Sequence, residues 1–219
     1  MTSFPNSPRT LQGGIVLIDP DSSAVLRVIV LQYNPDTLTR TLQAKSIPPE
    51  AGDRLEALRL TGPPVETIKL DAEIDATDQL EFPDANPIAT QLGIHPQLAA
   101  LETLVYPASS QIQTNNTLAA SGTLEVVPAQ APLSLFVWSK NRIVPVLITD
   151  FTITEEAFDP SLNPVRAKVS LGMRVLTTND LSFDSKANGI YMAYFTQKER
   201  FASMNQPGAL ATLGINRIP

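Results

Sequence analysis

The chain has 219 residues, enough for one substantial domain, and its 43% apolar composition and mean hydropathy of +0.01 are those of a globular protein with a buried core. A formal net charge of −6 and a pI near 4.8 exclude a nucleic-acid partner, because phosphate binding needs clustered Lys and Arg. Zero cysteines exclude disulfides, thiolate metal sites and cysteine nucleophiles; no apolar run approaches the roughly 20 residues of a membrane span, so direct membrane insertion is not expected, and Met1-Thr2-Ser3-Phe4-Pro5-Asn6 lacks the positive flank of a secretory signal, which predicts a cytoplasmic start.

Nineteen prolines against ten glycines predict short elements parted by stiff turns, a pattern of strands rather than of a helical bundle. Residues 1–13 read as a flexible N-terminal arm that orders against a neighbour. Gly14–Ile18 and Ala24–Leu31 are β-branched runs separated by Asp19-Pro20-Asp21-Ser22-Ser23, which predicts a hairpin. Their near-continuous apolar character predicts that both faces are covered, by another sheet or by a neighbouring subunit. Residues 41–64, with Pro48-Pro49, Gly52, Gly62 and Pro63-Pro64, read as a long loop. From Glu66 to Thr77, Ile68, Leu70, Ala72, Ile74 and Ala76 alternate with Thr67, Lys69, Asp71, Glu73 and Asp75, the period of a half-buried strand.

One central helix is expected from about Pro96 to Val105, on the stripe Ile94, Leu98, Leu101, Val105, with residues 107–122 as a polar loop after it. Strands follow at Leu133–Trp138 and Ile143–Phe158. After the turn Asp159-Pro160-Ser161-Leu162-Asn163-Pro164 comes a strand with Ala167, Val169, Leu171, Met173 and Val175 on one face. Phe158 and Leu162 are expected to pack under that turn, with Asp159 or Asn163 bonding local backbone amides. A C-terminal helix runs from Ser185 to about Met204, and the residues after it read as a tail. The whole is mainly β (β+α): an antiparallel β-sandwich or barrel over residues 14–182, then a helix and tail over 183–219.

Nothing in this inventory assembles a catalytic, cofactor or metal site, and no enzyme activity is expected. The single histidine, His95, sits between Ile94 and Pro96 at a helix start without a recognisable orienting partner. Glu155 and Glu156 are adjacent on a strand and point to opposite faces unless a bulge intervenes. Asp71, Glu73 and Asp75 share a face but are spaced too widely to hold one Ca²⁺ unaided. Gly13-Gly14 precedes a strand rather than a helix, so it does not cradle phosphate. Trp138 beside Lys140 and Arg142 reads as packing at the rim of the core, with interface use as the alternative. The acidic row Asp71, Glu73, Asp75 and the basic row Arg166, Lys168, Arg174 would fix register if their strands are neighbours.

Four segments carry a resemblance: Val30-Leu31-Gln32-Tyr33-Asn34-Pro35-Asp36-Thr37-Leu38-Thr39-Arg40; Glu66 to Asp71; Arg142 to Val146; and, most specific, Ile153-Thr154-Glu155-Glu156-Ala157-Phe158-Asp159-Pro160-Ser161-Leu162-Asn163-Pro164-Val165-Arg166-Ala167, running on to Lys168-Val169. Together, over roughly residues 14–200, the chain resembles the tube-like adaptor of contractile injection systems of the antifeeding-prophage and Photorhabdus virulence cassette types, related in role to LysM-bearing baseplate proteins. The resemblance implies a tube-like fold, a homo-hexameric ring, and a structural role joining the inner tube or tube-initiator protein to the trimeric spike hub and other baseplate components of an assembled particle. It implies interface or structural roles for Tyr33, Asn34, Pro35, Arg40, Glu155, Glu156, Phe158, Asp159, Pro160, Asn163, Pro164 and Arg166, and no cofactor. The LysM module of many members is not expected here. The alternatives are a tube or tube-initiator subunit of the same machine and a carbohydrate-binding β-sandwich using Trp138 and Tyr106.

Overall fold

Residue alternation decides which face of each strand turns towards the core. In β4 (Val65–Asp75) the even-numbered side chains Ile68, Leu70, Ala72 and Ile74 are all buried while Lys69, Asp71 and Glu73 are exposed. Its neighbour β7 (Pro164–Val175) repeats the pattern with Ala167, Val169, Leu171, Met173 and Val175, each no more than 2% exposed. Removing such side chains from water contributes roughly 1.5–3 kcal/mol for each large aliphatic one, which fixes the register of the pair, since a one-residue slip would turn both rows outward.

The computed structural model describes residues 10–20, 22–46, 59–120, 122, 132–206 and 208–218. Among them β1 (Gly14–Ile18), β2 (Val25–Val30), β3 (Leu38–Gln43), β5 (Leu133–Ser139) and β6 (Arg142–Phe158) join β4 and β7 in one antiparallel seven-stranded sheet of order β2-β1-β5-β6-β7-β4-β3. The expected mainly β architecture is present, and so is the β1–β2 hairpin, with Ile15 opposite Ile29. The sheet curls until its ends communicate: the Gln32 side chain donates from Nε2 to the Asp75 carbonyl at 2.7 Å and accepts from the Asp75 amide at 3.0 Å. The amide thereby stands in for a strand partner at the end of β4.

Helices close the core. Ile94, Leu98 and Leu101 at the start and along α3 (His95–Glu102) are buried at 0–3% exposure against the sheet. α5 (Lys186–Met204), capped by the Ser185 hydroxyl accepting from the Asn188 amide at 3.2 Å, brings Tyr191 and Tyr194 into the same core. Gly13 lies so close to the Trp138 indole that any side chain there would strike the ring, and Trp138 stacks on the fully buried Phe136 at 5.8 Å. The Gly13 position therefore serves packing at the rim of the core. Among the described residues no helix is long and apolar enough to cross a membrane.

Several expectations are corrected. The 41–64 segment is not loop throughout: β3 runs to Gln43 and Ser46 bridges Leu60, while 47–58 lie outside the described residues. Residues 109–120 form α4 (Ser109–Ala120) rather than a polar loop. That stretch has neither Pro nor Gly, and the Thr114 and Thr117 hydroxyls donate to the carbonyls of Ser110 and Gln113 one turn back instead of competing for the helix. The helical component is larger than one central helix, since α1 (Thr77–Leu80) and α2 (Pro87–Leu92) precede α3. Val105 lies past α3 and is 45% exposed, so it does not extend the apolar stripe. β2 is not covered on both faces: Val25, Leu26, Val28 and Val30 are 54–62% exposed.

Candidate interaction sites

The row of buried side chains on β4 begins with an acid. Glu66 is on the same face as Ile68 and its carboxylate is only 4% exposed. Leu42 of β3 lies opposite Glu66, and Arg40, opposite Ile68, reaches diagonally to it. Arg40 donates from Nε to Glu66 Oε1 at 2.7 Å, and its Nη2 lies 2.6 Å from the same oxygen. From α5, Lys198 donates to Oε2 at 2.7 Å and the Tyr194 hydroxyl donates to Oε1 at 3.0 Å while accepting from Arg40 Nη2 at 3.1 Å. The Lys198 ammonium also sits 4.1 Å from the centre of the Tyr194 ring. Burial pushes the Glu66 carboxyl up, but the bonds and charges of Lys198, then Arg40, outweigh it and hold the carboxyl below its ordinary value. Tyr194 is pushed up to about 12, first by burial and then by the Glu66 charge. Glu66 thus locks the C-terminal helix onto β3 and β4 through ionised contacts from a carboxylate that is itself withdrawn from water.

The opposite end of β4 carries a second constellation. Asp75 accepts from Arg166 Nε at 2.8 Å and from the Thr77 amide at 2.7 Å. Burial pushes its carboxyl up, and the Thr77 and Arg166 bonds bring it net below the ordinary value. Beside it, Asp159 organises the turn into β7 by accepting from the Ser161 amide at 2.7 Å, the Asn163 amide at 2.8 Å and Asn163 Nδ2 at 2.8 Å. Asn163 Nδ2 also donates to the Gln91 carbonyl at 3.1 Å, and the carbonyl of buried Pro164 accepts from the Ile94 amide at 2.8 Å. The turn is therefore clamped between α2 and α3. Gly93 has φ +57° where its Cα faces the Pro164 carbonyl, a conformation and an approach that a side chain would not permit.

The residues singled out by the sequence divide between these places. Arg40 belongs to the Glu66 cluster, whereas Asp159, Pro160, Asn163, Pro164 and Arg166 lie at or beside the turn. Asn34 accepts from the Gly13 amide at 2.9 Å and donates to the Leu11 carbonyl at 2.8 Å, pinning the segment before β1. Its neighbour Tyr33 is 46% exposed, and Pro35 is half-buried. Phe158 and Leu162 do not pack under the turn: they are 51% and 78% exposed, because the Asp159 hydrogen bonds close it and Leu162 takes a positive φ of 65°. Glu155 and Glu156 fall at a β-bulge, where Glu155 stays exposed and Glu156 pairs with Lys168 at 2.9 Å. The acidic and basic rows are on adjacent strands, with Glu73 opposite Lys168 and Asp75 opposite Arg166. Arg174 departs from them, facing Thr67 across the strands and pairing with Asp180 at 2.8 Å. His95 is exposed at the start of α3, and among the described residues no three His, Cys, Asp or Glu are placed to hold a metal ion.

Glu66 is the residue that sequence reasoning missed as a site. Its signal was its parity, since it shares the even register of Ile68 to Ile74 and is the one charged member of that row.

No protein-family model matches the chain, and no curated protein matches it. Among solved structures the chain is similar to one described as the tail of an empty GTA particle computed with helical refinement and C6 symmetry. The two share 11% sequence identity with a TM-score of 0.30, over 75% of this chain and 90% of the other.

Proposed function

We propose that this protein is a non-enzymatic structural subunit of a tail-type assembly, forming a ring that joins the inner tube or its initiator to a trimeric spike hub within the baseplate of an injection particle assembled in the cytoplasm. The observation that carries the reading is β2. It is an edge strand with four of its six side chains apolar and more than half exposed, Val25, Leu26, Val28 and Val30. Isolated edges of that kind invite pairing with another chain. Among the described residues the sheet has a second, different edge in β3, and two unlike edges on one chain support head-to-tail contacts, which close into rings when the rotation between copies permits.

Mass photometry and negative-stain microscopy of the purified chain, alone and mixed with tube and hub proteins, test the reading. Six-fold rings, alone or with those partners, are expected. Val28→Lys together with Val30→Lys should abolish them while leaving the circular dichroism of the sheet intact, because both side chains already face solvent. A wild-type chain that stays monomeric at high concentration and ignores both partners would overturn the proposal.

A further inference from the structure

Above the Glu66 cluster a pocket of about 210 Å³ opens between β5, β6, β3 and α5. Each charged side chain lining it is a cation: Arg40, Arg142 and Lys198. Only one carboxylate, Glu66, bonds to this set from below, so three positive charges face one negative charge. Among the described residues Arg40 spends Nε and Nη2 on Glu66 and Tyr194, leaving its Nη1 donors unused, and the Arg142 guanidinium makes no hydrogen bond or ion pair. The walls are Trp138, Tyr194 and Phe201. Apolar walls strengthen an ionic contact made beside them, and two guanidinium forks with idle donors match the planar geometry of a carboxylate.

At the far end of β4 the chain presents the complementary chemistry. Glu66 and Asp75 are nine positions apart on one strand, roughly 30 Å at about 3.3 Å per residue. Just beyond Asp75 the sequence Glu81-Phe82-Pro83-Asp84 bridges α1 and a 3₁₀ turn at Pro83–Ala85. Glu81 and Asp84 are exposed without an ion pair among the described residues, and Phe82 between them is 60% exposed. The segment is braced, since Asn86 Nδ2 donates to the carbonyls of Gln79 at 3.1 Å and Phe82 at 3.0 Å. Two carboxylates flanking an aromatic ring therefore stand ready-made at one end of the molecule, and a cationic pocket with aromatic walls stands at the other.

We infer that the Arg40–Arg142–Lys198 pocket is a carboxylate-binding site that receives the Glu81–Asp84 segment of a second copy of this chain. Arg142 takes one carboxylate, and Phe82 lies against Phe201 or Trp138. The contact is heterologous, the kind that closes a ring, and in its choice of partner it rests on the self-assembly proposed above. The surplus charge at the pocket makes it sensitive to salt.

Trp138 is the only tryptophan in the chain and lines the pocket, so its fluorescence reports occupancy. The full chain is titrated with a synthetic peptide of residues 78–86. A saturable change is expected for wild type, weakened at least about tenfold by Arg142→Glu, by the neutral Arg142→Gln, or by Glu81→Lys with Asp84→Lys in the peptide. In the full chain, Arg142→Glu alone and Glu81→Lys/Asp84→Lys alone should each weaken self-association, with the combined variant regaining much of the loss. Circular dichroism controls for folding, to which the Arg142 side chain contributes no hydrogen bond or ion pair among the described residues. No response of Trp138 at millimolar peptide, or binding equal in wild type and Arg142→Glu, overturns the inference. A chain that never self-associates sinks the ring reading instead, because the peptide titration does not depend on it.

Discussion

The two ends of β4 carry the same chemical group in opposite settings. Glu66 lies on the inward face with its carboxylate 4% exposed and is held by two cations and a phenol from two other elements. Asp75 lies on the outward face at 21% side-chain exposure, with one arginine from the adjacent strand and a local threonine. A carboxylate taken out of water must be matched nearly completely, whereas one at the surface gains little from a partner that water can replace. The inner acid therefore organises tertiary structure, and the outer one trims a strand end.

The sharpest way to break this contrast is to remove each acid. Glu66→Ala leaves Arg40, Lys198 and Tyr194 facing each other without their acceptor and should cost about 2–4 kcal/mol in urea unfolding, by the penalty for orphaning enclosed charges. Loss of α5 protection in amide hydrogen exchange is expected with it. Asp75→Asn should lower the melting temperature far less. Equal losses would mean that burial is not what separates the two.

Acid titration gives the next effect. The folded pKa of Glu66 lies below its ordinary value, so unfolding takes up a proton. Its contribution is complete above the ordinary glutamate range and drains away as pH falls through the lower folded value. Chemical denaturation across that range should show a stability loss in wild type that is much reduced in Glu66→Gln. Asp75, also lowered, contributes with the same sign and a smaller amplitude because it is more exposed.

Tyr194→Phe removes a hydroxyl that both donates to Glu66 and accepts from Arg40, and should cost about 1–2 kcal/mol. In alkaline spectrophotometric titration one tyrosine should ionise only near pH 12 and be missing from this variant. The smallest effect belongs to the outer face. Glu73 lies opposite Lys168, but Lys168 is already paired with Glu156 across the sheet. Glu73→Lys and Lys168→Glu should accordingly combine almost additively in melting experiments, and strong mutual rescue would show that the two rows couple directly.

Much of this frame is legible in residue order. The alternation of Ile68, Leu70, Ala72 and Ile74, and of Ala167 to Val175, gives β4 and β7 and their buried faces, because a two-residue period has one reading. The Asp159–Pro164 turn was also legible, although its closing groups were not all correctly assigned: the polar side chains do the work and Phe158 and Leu162 stay outside. Stretches without a period were misjudged. α4 carries no legible signal because Ser, Gln, Thr and Asn leave no apolar stripe, and β2 reads as a covered strand because an apolar run looks the same at a sheet edge as in a core.

What the sequence determined by itself is the class of the fold, the inward rows and the composition that rules out disulfides, since these depend on local period and residue inventory. What only tertiary structure decided is the partnership of groups far apart in the chain. Arg40 and Lys198 lie 26 and 132 positions from Glu66, and no local rule joins them. They meet because the pairing of β3 with β4 and the seating of α5 bring three elements together at one carboxylate, and the cost of leaving that enclosed carboxylate unmatched selects the arrangement that satisfies it.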